Sequence, residues 1–246
     1  MSRAARIAIE LARAHLAVRH DRSWIGVAWY VAGPVAMLAA VAALHSSVGA
    51  KAAPSLSSLA VGLLCFSYFR SMTTNVAAAP RNSAALLRGV SVPLSSVFAS
   101  RAIESSVVHV VESIVVLVVV ACTGGIPLAA LGYMVTFVLL AVLASSIGVV
   151  LAVASSFAED ARNAWTYMLT VLMFVAPVFV EMDRATRMWI VELNPITHAI
   201  DAARAAFIEG RFDGVANAAL AGFAVIFACV AYAVYRRFGG TLVERL

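Results

Sequence analysis

Four ionisable residues interrupt one apolar stretch of this 246-residue chain. They are Arg101, Glu104, His109 and Glu112, and at 100° per helical residue they fall on roughly one 140° arc. Charges inside a membrane are costly, so a stripe this narrow should face a bundle interior or a water-filled path. We expect the stripe to line or gate a conduit, or else to contain a structural Arg101–Glu104 ion pair and a hydrogen-bonded Glu112. Arg70, in the preceding apolar stretch, is a possible partner for either acid.

Motifs for self-contained catalysis are missing from the sequence. There is no Gly-rich phosphate loop ending in Lys-Ser or Lys-Thr, no paired His-Glu metal motif and no serine in a Gly-flanked nucleophile turn. The five histidines do not pair at ligand spacing, and Cys65, Cys122 and Cys229 match no metal-binding pattern. We therefore expect no catalytic, cofactor-binding or metal-binding residues in this chain.

Long apolar blocks make up most of the chain. Hydrophobic residues account for 63% of the sequence and charged residues for 13%, whereas soluble domains are about one quarter charged. About 20 apolar helical residues cross the ~30 Å hydrocarbon layer. The sequence predicts an all-α integral membrane protein, one domain over residues 1–246, with about six transmembrane helices. The predicted spans are residues 24–44, 59–79, 94–122, 128–157, 163–180 and 214–235.

Positive charges predict that both termini are cytoplasmic. Five arginines precede the first predicted span, whereas the connection after it carries only Lys51, and basic segments stay inside. Alternation of the spans places Arg88, Arg162 and the C-terminal arginines on the same side. The net charge of +5 fits cytoplasmic surfaces that face anionic lipid or an acidic partner, and it gives no reason to infer nucleic-acid binding.

Two segments outside the spans are predicted to form helices at the membrane surfaces. Residues 4–20 have apolar and basic faces, typical of an amphipathic helix lying flat on the inner leaflet, with a solvated extension as the alternative. The predicted apolar face consists of Ile7, Leu11, Ala14 and Val18. Residues 181–213 are too polar to span the membrane and too apolar for a free loop, and Pro195 favours a new helix start. We expect short, half-buried outer helices there.

Aromatic side chains are a further candidate feature, because flat rings stack on sugars. The candidates for such a lining are Trp29, Tyr30, Phe66, Tyr68, Phe69, Phe174 and Phe179. Aromatic residues also fill interfaces and helix contacts in any membrane protein, which is the alternative interpretation.

Several fragments, read in order, resemble the permease subunit of ABC-2-type exporters, in particular the branch that exports polysaccharides such as O-antigen, capsule or teichoic acid. The matching fragments are RSWIG at 22–26, LLRGVSVPL at 86–94, FAEDAR at 157–162, APV at 176–178 and LNPIT at 193–197, followed by Arg204. Two positions depart from the family pattern. Val92 stands where an aromatic residue is usual, and Glu159 belongs to a loop with two acids where an Arg-Asp pair is common.

The resemblance implies a transport subunit without an ATPase site, driven by a separate nucleotide-binding ABC ATPase subunit that binds ATP and Mg. It also implies a homodimer with a conduit at its interface, a lipid-linked glycan as substrate, and a place in the bacterial or archaeal cytoplasmic (inner) membrane of the cell envelope. The implied ATPase-docking residues are Arg81, Asn82, Leu86, Leu87 and Arg88. The implied outer gate contains Pro177, Asn194, Pro195 and Arg204.

Two other functions stay open at this point. Other ABC-2 permeases export small hydrophobic drugs or lipids, and composition does not distinguish these substrates from a polysaccharide. A proton- or ion-coupled carrier would use Glu104, His109 and Glu112 as a relay, although the sequence lacks the internal repeat of spans that many such carriers have.

Overall fold

The computed structural model describes residues 3–21, 36, 39, 43, 55–89, 92–122, 132–158, 160–180, 182, 184 and 187–244. Within these ranges the chain is almost entirely helical and contains no strand. The helices are α1 (Arg3–Asp21), α2 (Leu56–Asn82), α3 (Ala84–Gly89), α4 (Leu94–Cys122), α5 (Tyr133–Phe157), α6 (Asp160–Val175), α7 (Trp189–Glu192), α8 (Pro195–Phe207) and α9 (Gly214–Glu244).

Three of the described helices are long and apolar enough to cross a membrane, namely α4, α5 and α9. They coincide with the third, fourth and sixth predicted spans. Only 22%, 44% and 17% of their most apolar windows are buried inside the chain, so most of these apolar side chains face outward. Apolar surface of this extent is covered by lipid or by another chain.

The other three predicted spans have no matching helix of this length and hydropathy among the described residues. Residues 24–44 lie outside the described part of the chain except for Ala36, Ala39 and Ala43, which are helical. Helix α2 is 27 residues long, but polar residues in its second half lower its mean hydropathy. Helix α6 has only 16 residues. The count of six spans therefore stays a prediction.

Helix α2 is the centre of the bundle. It packs against α4, α5 and α8, and 18 of its 27 residues are buried. Ser55 caps its first turn, since the Ser55 hydroxyl accepts a hydrogen bond from the Ser58 amide at 3.2 Å. At the other end the chain turns at Ser83 and continues directly into α3. The bundle therefore depends on contacts that surround α2 on most sides.

The backbones of α2 and α5 approach closely at Gly148. A Cβ atom added to Gly148 would lie 2.7 Å from Val76 Cβ and 3.1 Å from the Thr73 carbonyl oxygen. Ala144 and Ala152, one turn away on either side, are buried as well. Small residues at this spacing allow two helices to pack tightly inside a membrane.

Helix α1 lies along the first half of α4. Ser96 donates a hydrogen bond to the Ala4 carbonyl at 3.0 Å, and Ala8 and Ala12 are each only 2% exposed. The buried face therefore differs from the predicted one, and the predicted face member Ala14 is exposed. Close approach to α4 favours the smallest side chains over the most hydrophobic ones.

Replacing Gly148 with Val should destabilise the protein by about 1–3 kcal/mol, because overpacking forces side chains and backbone apart. The readout is the temperature at which half of the purified protein leaves the monodisperse fraction in mild detergent. Gly222→Val is the matched control, since a Cβ atom at Gly222 has no neighbour within 4 Å. Equal melting of the two variants would contradict the tight α2–α5 crossing.

Candidate functional site

The first half of the predicted polar stripe on α4 is a packed ion pair. Arg101 Nη1 lies 2.7 Å from Glu104 Oε2, and the Glu104 side chain is 4% exposed. His15 Nδ1, from α1, lies 3.8 Å from the same oxygen. Burial lowers the pKa of His15, and the Arg101 charge lowers it further, against an opposing effect of Glu104. His15 is therefore neutral near pH 7 and lies against this ion pair where α1 packs on α4.

The other half of the stripe is enclosed by aromatic rings. His109 is 1% exposed, and its Nε2 lies 2.7 Å from the Tyr133 hydroxyl. Its ring stacks on Tyr68 with 3.9 Å between ring centroids, and its Nδ1 lies 3.7 Å from Glu112 Oε2. The structure thus joins His109 to Glu112 and holds Glu104 in a separate contact.

Arg70 lies elsewhere. The structure brings it to neither Glu104 nor Glu112, and its side chain is exposed in the middle of α2. The less buried residues in the second half of α2 recur at three- to four-residue spacing, so they share one side of the helix. We call this side the open polar face; its residues are Ser67, Arg70, Ser71, Thr74, Asn75, Ala78, Arg81 and Asn82.

The depth of Arg70 follows from helix geometry. Twelve residues separate it from Asn82 and fourteen from Leu56 at the two ends of α2. At ~1.5 Å per residue these separations are about 18 and 21 Å. Arg70 is therefore close to the middle of the helix and, if α2 spans the bilayer, close to mid-membrane. Sequence reasoning named Arg70 only as a partner for an acid; the helical spacing of Ser67, Ser71 and Thr74 is the signal that would have revealed the whole face.

Three of the five aromatic lining candidates among the described residues fill the core of the chain. Phe66, Tyr68 and Phe69 are at most 4% exposed, and the Tyr68 hydroxyl lies 2.9 Å from the Ser106 hydroxyl. This differs from the predicted lining, because packing around α2 turns these rings inward. Phe174 on α6 is 75% exposed and Phe179 is half-buried. Trp29 and Tyr30 lie outside the described residues.

The predicted ATPase-docking segment divides into exposed and inward-facing residues. Asn82 and Arg88 are exposed. Arg81 donates a hydrogen bond to the Ser155 carbonyl at 3.1 Å, and Leu87 packs against the core while Leu86 is half-buried. The Arg81 bond therefore fixes the end of α2 to the end of α5. Helix α3 packs against α2 and α9, with Arg88 presented to solvent.

The predicted outer-gate residues hold α8 in place. Asn194 caps α8, since its Oδ1 accepts a hydrogen bond from the Ile196 amide at 3.1 Å, and Pro195 occupies the first turn. All residues of α8 after Pro195 are buried. Helix α8 is thus embedded more deeply than the predicted half-buried position, because its alanine-rich surface packs against α2, α5 and α9.

Arg204 ties α8 to two other segments. Its Nη2 donates hydrogen bonds to the carbonyl oxygens of Val178, at 3.2 Å, and Ser58, at 3.4 Å. Ser58 is in the first turn of α2, and Val178 follows Pro177 in the turn after α6. The Arg204 side chain is largely buried, so this guanidinium group joins α2, α6 and α8 at one end of the bundle.

A polar pocket of about 560 Å³ opens beside Arg204. Inside it Asp201 binds Arg187 at 2.5 Å and Arg184 at 3.2 Å, and Arg184 also binds Asp213 at 2.6 Å. The lining residues are Ser55, Ser58, Met182, Arg184, Arg187, Asp201, Arg204, Ile208, Glu209, Arg211 and Asp213. These ion pairs fix the segment between α6 and α9 against α8.

The ion-pair network lowers the pKa of Asp213. Burial acts to raise the pKa of Asp213, but a hydrogen bond from the Ala216 amide at 3.0 Å and the Arg184 charge outweigh it, so the pKa lies below its ordinary value of 3.8. For Arg184, burial acts to lower the pKa of the guanidinium group. Hydrogen bonds and charges of Asp213 and Asp201 outweigh burial, so the pKa of Arg184 is raised.

Replacing Arg204 with Met should destabilise the protein by about 3 kcal/mol, because a hydrogen bond with a charged partner contributes about 1.5–3 kcal/mol. Thermal melting in detergent is the measurement. Arg211→Met is the control, since the Arg211 side chain is 57% exposed and should melt like the wild type. A wild-type melting temperature for Arg204→Met would contradict the joining role of Arg204.

The stabilising contribution of Asp213 should depend on pH. A carboxyl group with a lowered folded-state pKa stabilises the fold fully above its unfolded value and loses that effect as pH falls through the folded value. The melting temperature of the wild type should therefore exceed that of Asp213→Asn at pH 6, and the difference should shrink as pH falls below about 4. A gap that stays constant from pH 6 to pH 3 would show that the charge of Asp213 is not responsible.

Most of the chain matches a known family of membrane proteins. The family model for the ABC-2 type transporter matches residues 9–208, most of the chain, from α1 through α8. Among curated proteins there is no significant match. The family match includes the open polar face of α2, the predicted docking segment at α3 and the Arg204 contacts. The chain therefore belongs to the ABC-2 type transporter family, as a membrane permease component of an ABC transporter.

Proposed function

We propose that this chain forms, with a second copy of itself, the conduit of an ATP-driven exporter that moves a lipid-linked polysaccharide across the membrane from its cytoplasmic side. The observation that carries the proposal is the open polar face of α2. A single chain leaves Arg70 exposed at mid-helix, where hydrocarbon cannot solvate its charge. A second copy facing α2 across water would remove that cost.

The side chains near this face suit a hydroxylated substrate. Ser67, Ser71 and Thr74 lie on the open polar face, and α6 exposes Thr166 and Thr170. A hydroxyl oxygen can accept a hydrogen bond even when its own proton is donated to the helix backbone, so these groups can bind the hydroxyls of a sugar chain. An exporter of small hydrophobic drugs would be served better by an apolar lining. The resemblance to the polysaccharide branch supports the same choice.

Exposed aromatic rings on α6 add a second property that suits sugars. Tyr167 and Phe174 are each 75% exposed. Trp165, on the opposite side of α6, anchors the helix to α2 through a hydrogen bond of 3.2 Å from its Nε1 to the Thr73 hydroxyl. In this proposal the rings of Tyr167 and Phe174 contact the glycan while Trp165 holds α6 beside the open polar face.

The proposed topology has six spans, with α2 and α6 as the second and fifth, and places both termini in the cytoplasm of a bacterial or archaeal cell, across its inner membrane. Exposed arginines gather at the end of the bundle where α2 ends and α4 begins; they include Arg88, Arg162 and Arg237. The positive-inside rule assigns that end to the cytoplasm. The polar pocket beside Arg204 then faces outward, where α7 and α8 form the outer gate.

The partner ATPase would bind ATP and Mg and dock on the cytoplasmic end at α3. This short helix is fixed to α2 and to α9, so movement of a docked partner would pass directly into the helix that carries Arg70. Rigid elements of this kind transmit domain movement through packed interfaces.

Charge reversal by Arg88→Glu should lower co-purification of the ATPase subunit by about tenfold, equivalent to about 1.4 kcal/mol, because a basic docking side chain becomes repulsive toward an acidic partner surface. The measurement is the ATPase-to-permease ratio after affinity purification of the co-expressed pair. Arg237→Glu is the charge-matched control on α9, where the guanidinium lies over the Phe238 ring. Undiminished co-purification with Arg88→Glu would remove α3 from the docking surface.

The transport function is tested in inverted membrane vesicles that contain the permease, its ATPase and a fluorescent lipid-linked glycan. The proposal expects the glycan to reach the vesicle lumen only with hydrolysable ATP. ATP hydrolysis stimulated by hydrophobic drugs and not by the glycan would point to a drug exporter. Transport driven by a pH gradient without any ATPase would point to an ion-coupled carrier and would overturn the proposal.

A further inference from the structure

We infer that Arg70 binds an anionic group of the phosphate class inside the conduit and thereby selects anionic substrates. The inference rests on the proposed function, because it requires a water-filled path along the open polar face of α2. It adds a property that the proposed function does not contain, namely that the path holds a positive site at mid-membrane.

The first observation is that Arg70 carries an unneutralised charge. In the described part of the chain no carboxylate forms an ion pair with it, whereas Arg101 is paired with Glu104 and Arg184 with Asp213. An arginine at the centre of a membrane protein is retained at high cost unless an anion or water compensates its charge. Water in the conduit can solvate this charge, but no carboxylate among these residues neutralises it. The position is therefore open to an anion that comes from outside the chain.

The second observation concerns the hydrogen-bond donors around this charge. Thr73 and Thr74 donate their hydroxyl protons to the Arg70 carbonyl at 3.0 and 2.8 Å. Asn75 donates to the hydroxyls of Ser71, at 3.2 Å, and Ser105, at 3.0 Å. These neighbours are therefore committed to helix contacts. The Arg70 guanidinium group is the charged donor on this face, and its planar fork matches two oxygens of a phosphate.

The third observation is the contrast with the lipid-facing side of the same bundle. Val107, Val110, Ile114 and Val118 on α4 are exposed and apolar, as expected for residues that contact lipid. The open polar face of α2 has no such residue next to Arg70. An acyl chain gains nothing from a positive charge there, and a cation is repelled. A neutral sugar can accept a hydrogen bond from the guanidinium group but leaves its charge unneutralised. The ligand that matches both the charge and the donors at this position is anionic.

The phosphate-class anion has two possible sources, the linkage of the transported molecule or the headgroup of an anionic lipid that enters the conduit. The experiment uses the full chain in phosphatidylcholine nanodiscs, with the exposed Cys122 and Cys229 changed to Ser and with Thr74→Cys as a reporter one helical turn from Arg70. The reaction rates of an anionic and a cationic methanethiosulfonate reagent are compared.

The ratio of anionic to cationic rates at the reporter should fall about tenfold when Arg70→Gln is added, since a unit charge about 6 Å away in a watery path changes the two reagents' encounter energies in opposite directions. Arg70→Lys keeps the charge and should keep most of the ratio. Val110→Cys in place of Thr74→Cys is the lipid-facing control and should react slowly with both reagents.

Farnesyl diphosphate is the ligand probe and farnesol its uncharged counterpart. The diphosphate should protect the reporter at least about tenfold better than farnesol, and Arg70→Gln should abolish the difference. The reporter is also tested in phosphatidylglycerol nanodiscs without added diphosphate. If it is protected there and Arg70→Gln removes that protection, the result would support the site with lipid as the source of the anion. A rate ratio that Arg70→Gln leaves unchanged, or equal labelling of Val110→Cys, would overturn the inference. Normal ATPase co-purification in that case would leave the proposed function intact.

Discussion

A charged guanidinium group cannot be left against hydrocarbon, and this constraint governs how the bundle must be completed. An arginine at the centre of a membrane helix costs at least about 2.5–3.5 kcal/mol when lipid surrounds it. Arg70 lies at the middle of α2, and in the proposed six-span topology that is the middle of the membrane. The other sides of α2 are covered by α4, α5 and α8. The open polar face therefore marks the side on which the chain needs water and a partner.

Three buried or partly buried arginines, by contrast, are held by partners within the chain. Arg204 is held by two backbone carbonyls, Arg101 by Glu104, and Arg187 by Asp201. A buried charge that keeps its partner is tolerated, whereas a buried charge that loses it costs several kcal/mol. These three contacts connect α8 to α2, pair two residues of α4 where α1 packs, and order the segment between α6 and α9. They build a rigid frame around α2.

The sequence predicts the apolar elements of this fold well and their contacts less well. Runs such as the 29 residues of α4 and the 25 of α5 exceed the length that spans a bilayer, so hydropathy alone finds them. The buried face of α1 was not foreseen, because Ala8 and Ala12 contribute little hydrophobicity and matter through their small size. The role of Arg81 depends on Ser155, 74 residues away, and no local pattern carries that information. The direction of Tyr68 and Phe69 is likewise decided by packing between distant helices.

Nitroxide accessibility along α2 tests the open polar face directly. Spin labels placed one at a time at Ser67, Arg70, Ser71 and Thr74, in the assembled transporter in nanodiscs, would be compared with labels at Val107 and Val110 on α4. A water-filled conduit predicts that a polar nickel relaxation agent reaches the α2 labels and that oxygen dissolved in lipid reaches the α4 labels. Strong oxygen access and weak nickel access at all four α2 positions would contradict this account, because the face would then be in contact with lipid.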